Sequence, residues 1–128
     1  MKPETIEVEL TIAYVRFGGN AGQGEYFYSV KPDIVTVGRG QSPISIAYTL
    51  CDHMDDNFRI LDVLSTDAHE QISKVEVKSG GRSIVMENAN TVKTLMLFSV
   101  LVKDDKRGRI INCDPQVGND PEIDPVVV

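Results

Sequence analysis

The chain contains no tryptophan, and aromatic residues make up only 6% of it. A ligand face built from stacked aromatic rings is therefore not expected. Cysteine is nearly absent too: Cys51 and Cys113 are the only two in 128 residues, too few for the dense disulfide framework of a small secreted scaffold. No stretch approaches the roughly 18 consecutive apolar residues that a membrane-spanning helix needs. The opening residues, Met1-Lys2-Pro3-Glu4, run straight into an alternating segment and carry no apolar core of a secretion signal. These absences lead to the expectation of a cytoplasmic protein of bacterial type, with no membrane partner and both thiols reduced.

Positive charge is also short. Thirteen Lys and Arg stand against nineteen Asp and Glu, for a net charge of −6. Binding to a phosphate backbone needs clustered bases. The one basic cluster, Lys103, Lys106, Arg107 and Arg109, has Asp104 and Asp105 within it and reads as a solvated hairpin tip. Nucleic acid is not an expected partner. What is present is ordinary globular material, 41% apolar and 25% charged, well away from disordered compositions. At this length one domain buries roughly two-thirds of its unfolded surface and needs no metal or disulfide to hold its core.

The patterning is that of β-strands. Ile6, Val8, Leu10 and Ile12 alternate with Glu7, Glu9 and Thr11, which is the period of a half-buried strand. Val15 and Phe17 fall in the opposite parity, so a bulge or a change of sheet near Ala13-Tyr14 would bring them back inside. Ile44, Ile46, Tyr48 and Leu50 alternate as cleanly as the first strand. Further strands are predicted at 25–30, 34–37, 58–64, 72–77, 83–87, 94–102 and 109–113. Ser79-Gly80-Gly81 makes a hairpin turn between two of them. The run 94–102 is apolar on both parities and is expected to be covered on both sides. About nine short strands at roughly 8–12-residue spacing, with no long amphipathic helix, predict an all-β, two-sheet antiparallel Greek-key sandwich of immunoglobulin-like type. That domain spans residues 1–113. Residues 114–128, with Asp114-Pro115, Asp120-Pro121 and Asp124-Pro125, read as an extended tail packed on the domain or on a neighbour, because proline removes a ladder donor. Its apolar Val117, Ile123 and Val126-Val127-Val128 would cover the chain's own sheet edge or add to a neighbour's sheet.

The closing segment, Ile111-Asn112-Cys113-Asp114-Pro115-Gln116-Val117-Gly118-Asn119-Asp120-Pro121, resembles the end of a small uncharacterised bacterial family, the DP-EP family. The likeness extends more loosely through Lys31-Pro32-Asp33-Ile34, the 44–50 strand and the apolar run 95–102. It implies a one-domain β-protein and brings no catalytic residues with it.

Four groups of residues invite a chemical reading. The loop from Gly18 to Gly24 is glycine-rich, but a phosphate loop must lead into a helix. Here an aromatic strand follows, with Glu25 where a lysine would stand, so the loop reads as a hairpin connection. Cys51, His53 and Met54, with Cys113 or His69, are the residue types of a copper site, but adjacent His53 and Met54 cannot easily face one ion. Asp52, Asp55 and Asp56, with Asn57, supply the oxygen ligands that Ca²⁺ prefers on a flexible loop, with Asp114, Asp120, Glu122 or Asp124 available to complete the shell. For catalysis, His53 and His69 are the only histidine bases, and no nucleophile elbow accompanies them. The expected function is a non-enzymatic interaction or structural module with no cofactor, acting on a protein partner or on a second copy of itself. The alternative is a Ca²⁺-type ligand- or metal-binding protein using the 52–57 loop.

Overall fold

The computed structural model describes residues 4–123. Strict alternation makes β1 (Thr5–Tyr14), which turns Val8, Leu10 and Ile12 inward and Glu7 and Glu9 to solvent. The same rule makes β4 (Ile44–Leu50), where Ile44, Ile46, Tyr48 and Leu50 are all buried. The others are β2 (Tyr26–Lys31), β3 (Ile34–Val37), β5 (Phe58–Ser65), β6 (Ile72–Lys78), β7 (Ser83–Asn88), β8 (Thr94–Asp104), β9 (Arg109–Cys113) and β10 (Gln116–Asn119). They form two packed sheets, in the orders β2-β1-β4-β7-β6 and β3-β10-β8-β5, with β9 also on β8. The inward side chains of both sheets share one apolar core.

The all-β, two-sheet sandwich is as expected, but the sheets are mixed. β1 pairs with β4 in parallel, and β10 pairs with β3 in parallel. After β2 the chain leaves the first sheet to lay down β3 in the second, then returns for β4. Strands joined through the other layer need not run as hairpins. Alternation reports which side of a strand is buried and is silent on its neighbour.

Residues after Cys113 enter the sheet. Val100 faces Cys113 and Leu97 faces Gln116 in one unbroken register along β8. Between them, Phe98 N–H donates to the Pro115 carbonyl at 2.9 Å. Pro115 can accept there but cannot donate, so β9 and β10 are one strand with a missing rung. β10 is an interior strand, flanked by β8 and β3. A turn follows over residues 120–123, closed by Ile123 N–H to the Asp120 carbonyl, and Arg39 N–H then donates to the Ile123 carbonyl at 2.6 Å. Asp124-Pro125 and Val126-Val127-Val128 lie outside the described residues.

Two apolar expectations are corrected. β1 ends at Tyr14 without the expected bulge, Arg16 takes a left-handed conformation with φ 72°, and Phe17 is 82% exposed. β8 buries Met96, Phe98, Val100, Val102 and Asp104 but leaves Leu95 and Leu97 open on its other face. A two-layer sandwich has no third layer to cover that face. In the β1–β2 loop, Gly22 lies against the Tyr26 ring, where a Cβ would come within 2.6 Å of the ring edge. The loop is thus a lid on a core tyrosine, which is why a side chain is excluded there. The outer strand β6 carries a bulge between Ser73 and Glu76 and presents Lys74, Glu76 and Lys78, devices that blunt an open edge.

Polar side chains tie the two sheets at each end. At one end Tyr26 Oη, on β2, donates to Asp104 Oδ2, on β8, at 2.6 Å. At the other, Asn88 on β7 and Asn119 on β10 exchange amide hydrogen bonds at 2.7 and 2.9 Å, fully out of water. Between them Tyr48 is buried edge-on against Phe98, and its hydroxyl has no hydrogen-bond partner among the described residues. Removing an unpaired buried hydroxyl returns its desolvation cost, whereas removing one partner of a buried pair incurs it. Tyr48→Phe is therefore expected to hold or raise stability by up to about 1 kcal/mol, and Asn119→Ala to lose roughly 1–3 kcal/mol. Urea unfolding of the two variants checks this, and the opposite order would contradict the assignment of both sites.

Candidate functional site

The end of the sandwich where β1 and β8 finish holds a cleft of about 380 Å³. One wall is the end of β1, residues 11–14. A second is the β4–β5 loop, with Cys51, His53, Met54 and Asp55 running into Phe58. The third is the β8–β9 turn, with Lys106 and Arg107. The loop is held to the sandwich by its backbone: Cys51 N–H donates to the Leu10 carbonyl at 2.9 Å, and Met54 N–H to the Cys51 carbonyl at 3.1 Å. Arg82 Nη2 adds a bond to the Cys51 carbonyl at 3.1 Å.

Asp104 organises this end. Its carboxylate has no exposure to water. Oδ2 accepts from Tyr26 Oη at 2.6 Å and Arg107 Nη1 at 3.0 Å, and Oδ1 from Asn57 Nδ2 at 2.6 Å, Lys106 N–H at 3.0 Å and Arg107 N–H at 3.3 Å. Burial alone would push this carboxyl up. The hydrogen bonds from Tyr26, Asn57 and Arg107 outweigh it and hold the group down at about 2. The same contact, after burial itself, pushes the Tyr26 phenol up to about 12, so it stays a donor. Arg107 is fixed on a second side, with its guanidinium carbon 3.8 Å from the Tyr14 ring centroid. The basic cluster read as a solvated tip is thus anchored on a buried acid. Arg109 is also committed, to Glu25 at 2.7 Å. The parity of β8 carries the missed signal: Met96, Phe98, Val100 and Val102 point inward, and Asp104 is next in the same series.

The sequence-nominated ligands are only partly brought together. Cys51, His53, Met54 and Asp55 line the cleft. Asp52 instead borders a separate depression of about 220 Å³, beside Glu7 and Glu9. Asp56 lines neither cavity. Among the described residues, no three His, Cys, Asp or Glu side chains are grouped to share an ion. Asp120 and Glu122 follow β10 at the opposite end of β8, roughly 30 Å from the 52–57 loop at strand rise, so they do not complete a shell there. His69 is exposed in the β5–β6 loop. Cys113 is sealed in the core, and burial pushes its thiol up to about 12, far from a reactive thiolate. Both cysteines are free. Among the described residues no helix is long and apolar enough to cross a membrane.

A second surface stands out on the far side of the second sheet. Leu95 and Leu97 on β8, Ile34 on β3 and Leu64 on β5 are each about half exposed. Register places Gln116 between Ile34 and Leu97, and Ser99 beside Leu64. Asp114, on the same outward parity as Gln116 and opposite Ser99 in that register, puts one exposed carboxylate beside them. Gly118, next to Leu95, leaves open space where a side chain would stand.

No protein-family profile and no curated protein matches this chain.

Asp104 gives a pH test. Its carboxyl is depressed in the fold relative to an unfolded value near 3.9, so its contribution is full above that value and fades as pH falls towards about 2. Asp104→Asn is expected to cost about 2 kcal/mol at neutral pH and to flatten the stability profile between about pH 4 and 2. Denaturant unfolding across that range reads both. A variant as stable as the parent at pH 7 would remove Asp104 from its organising role.

Proposed function

We propose that this domain is a non-enzymatic interaction module that pairs with a second copy of itself through the outer face of its second sheet. The observation that carries this reading is the cluster Ile34, Leu64, Leu95 and Leu97 on one sheet face, bordered by the carboxylates of Asp62 and Asp114. Contiguous apolar patches of roughly 300–600 Å² are the largest a soluble monomer ordinarily shows, and they mark contact sites. The ion pair of Arg59 with Asp105 and the side chain of Asp62 lie on the same sheet beyond this cluster, an apolar centre with a charged rim. The resemblance of the closing segment to the DP-EP family adds no activity to this reading.

A second copy fits the face because sheet faces stack with modest angular offset, about 10 Å apart. Half-burial of four Leu or Ile side chains on each copy returns roughly 8 kcal/mol. Association costs about 4–15 kcal/mol. The balance gives a weak dimer that forms at high concentration.

Sedimentation velocity over a concentration series tests this. The parent chain is expected to move from monomer to dimer, and Leu97→Asp to remain monomeric while still unfolding cooperatively. Val77→Asp, on an outer strand of the other sheet and similarly exposed, serves as the control and should dimerise like the parent. A parent chain that stays monomeric at the highest concentration, or a control that dissociates as Leu97→Asp does, would sink the reading.

A further inference from the structure

The end cleft carries a different charge from the rest of the molecule. The chain has a net charge of −6, yet Lys106 and Arg107 both line this cleft, and Asp55 is the one carboxylate among its lining residues. Lys106 Nζ has no hydrogen bond or ion pair among the described residues. Arg107 spends only Nη1 of its side chain on Asp104 and holds its guanidinium carbon over the Tyr14 ring. Its Nε and Nη2 donors have no partner among the described residues. A guanidinium held on two sides loses little freedom when it takes a ligand, and its remaining donors match a carboxylate or phosphate oxygen. Ile12, Met54 and Phe58 add apolar lining. At about 380 Å³ the cleft lies at the small end of the roughly 300–1,000 Å³ of ligand sites.

We propose that this cleft binds a small organic anion, with a carboxylate or phosphate head on Arg107 and Lys106 and an apolar body the size of one ring against Met54 and Phe58. The structural role of Arg107 and its binding role are coupled through one carboxylate. Asp104 neutralises part of the guanidinium charge and in return aims it. The turn that carries Lys106 is set by two backbone donations to the same Asp104 oxygen. The site is independent of the outer sheet face, which lies on other residues.

Titration of the ¹⁵N-labelled full chain with phenyl phosphate and, in parallel, benzoate tests it. Saturable one-to-one binding is expected, with amide shifts confined to residues 11–14, 51–58 and 104–108. The tighter of the two probes identifies the head group. Lys106→Gln removes one charge-assisted hydrogen bond from an exposed side chain and should weaken binding about tenfold while leaving the unfolding curve unchanged. Arg107→Gln should abolish binding and also loosen the fold, so Lys106→Gln decides the matter. Inorganic phosphate should bind at least tenfold more weakly than phenyl phosphate, since it lacks the apolar body. Absence of saturation, shifts centred on the Leu95–Leu97 face, or a Lys106→Gln chain that binds like the parent would overturn the proposal.

Discussion

A carboxylate without access to water sets the geometry of one whole end of this molecule. An isolated buried charge is prohibitively costly, and Asp104 is tolerable only because five donors converge on it. Those donors come from three separate stretches of chain. Tyr26 brings in the first sheet, Asn57 the loop before β5, and the amides of Lys106 and Arg107 the turn before β9. Satisfying one acid therefore fixes the separation of the layers, the path of two loops and the direction of Arg107 at once. The aromatic contact between Tyr14 and Tyr26, with ring centroids 5.3 Å apart, extends the same constraint to the end of β1.

The other end uses neutral groups for the same task. Asn88 and Asn119 satisfy each other across the layers, and Gln71 accepts from the Thr91 and Val92 amides while Asn90 Nδ2 reaches the Gly38 carbonyl. Between the two polar ends the interlayer is apolar and would tolerate sliding, since methyl groups do not specify register as hydrogen bonds do. Directional bonds at both ends remove that freedom. The apolar middle supplies the driving force, and the polar ends select one arrangement among several that would bury similar area.

Much of the layer structure is legible in period-two alternation. The inward sets of β1 and β4 can be read directly from Val8-Leu10-Ile12 and Ile44-Ile46-Tyr48-Leu50, because burial on one face imposes that pattern whatever the strand pairs with. Pairing itself is not legible: nothing in Thr5–Tyr14 announces a parallel neighbour in Ile44–Leu50, since both orientations use the same alternation. The run 94–102 misleads for a related reason. Apolar side chains on both parities, Leu95, Leu97 and Leu101 on one and Met96, Phe98, Val100 and Val102 on the other, are the mark of a strand covered twice, but they are also what a strand with an exposed apolar face looks like. The end cleft is assembled from residues 11–14, 51–58 and 106–107, which meet only through the crossing of the chain between layers. Composition shows that Asp104 is acidic. Only its parity with Val100 and Val102 reveals that it is inside.

The placement of β10 has a consequence for the order of events during synthesis. β3 is laid down early in the chain, yet its ladder partner is the last strand among the described residues. A ribosome delivering this chain exposes β3 with no neighbour while everything from β4 to β9 emerges, and the second sheet cannot close until residues 116–119 insert between β3 and β8. Such a non-local pairing carries a loop-closure cost that local hairpins do not. The first sheet, whose strands are all complete by Asn88, is free to form first, leaving the second as the late and exposed half of the molecule until its final strand arrives.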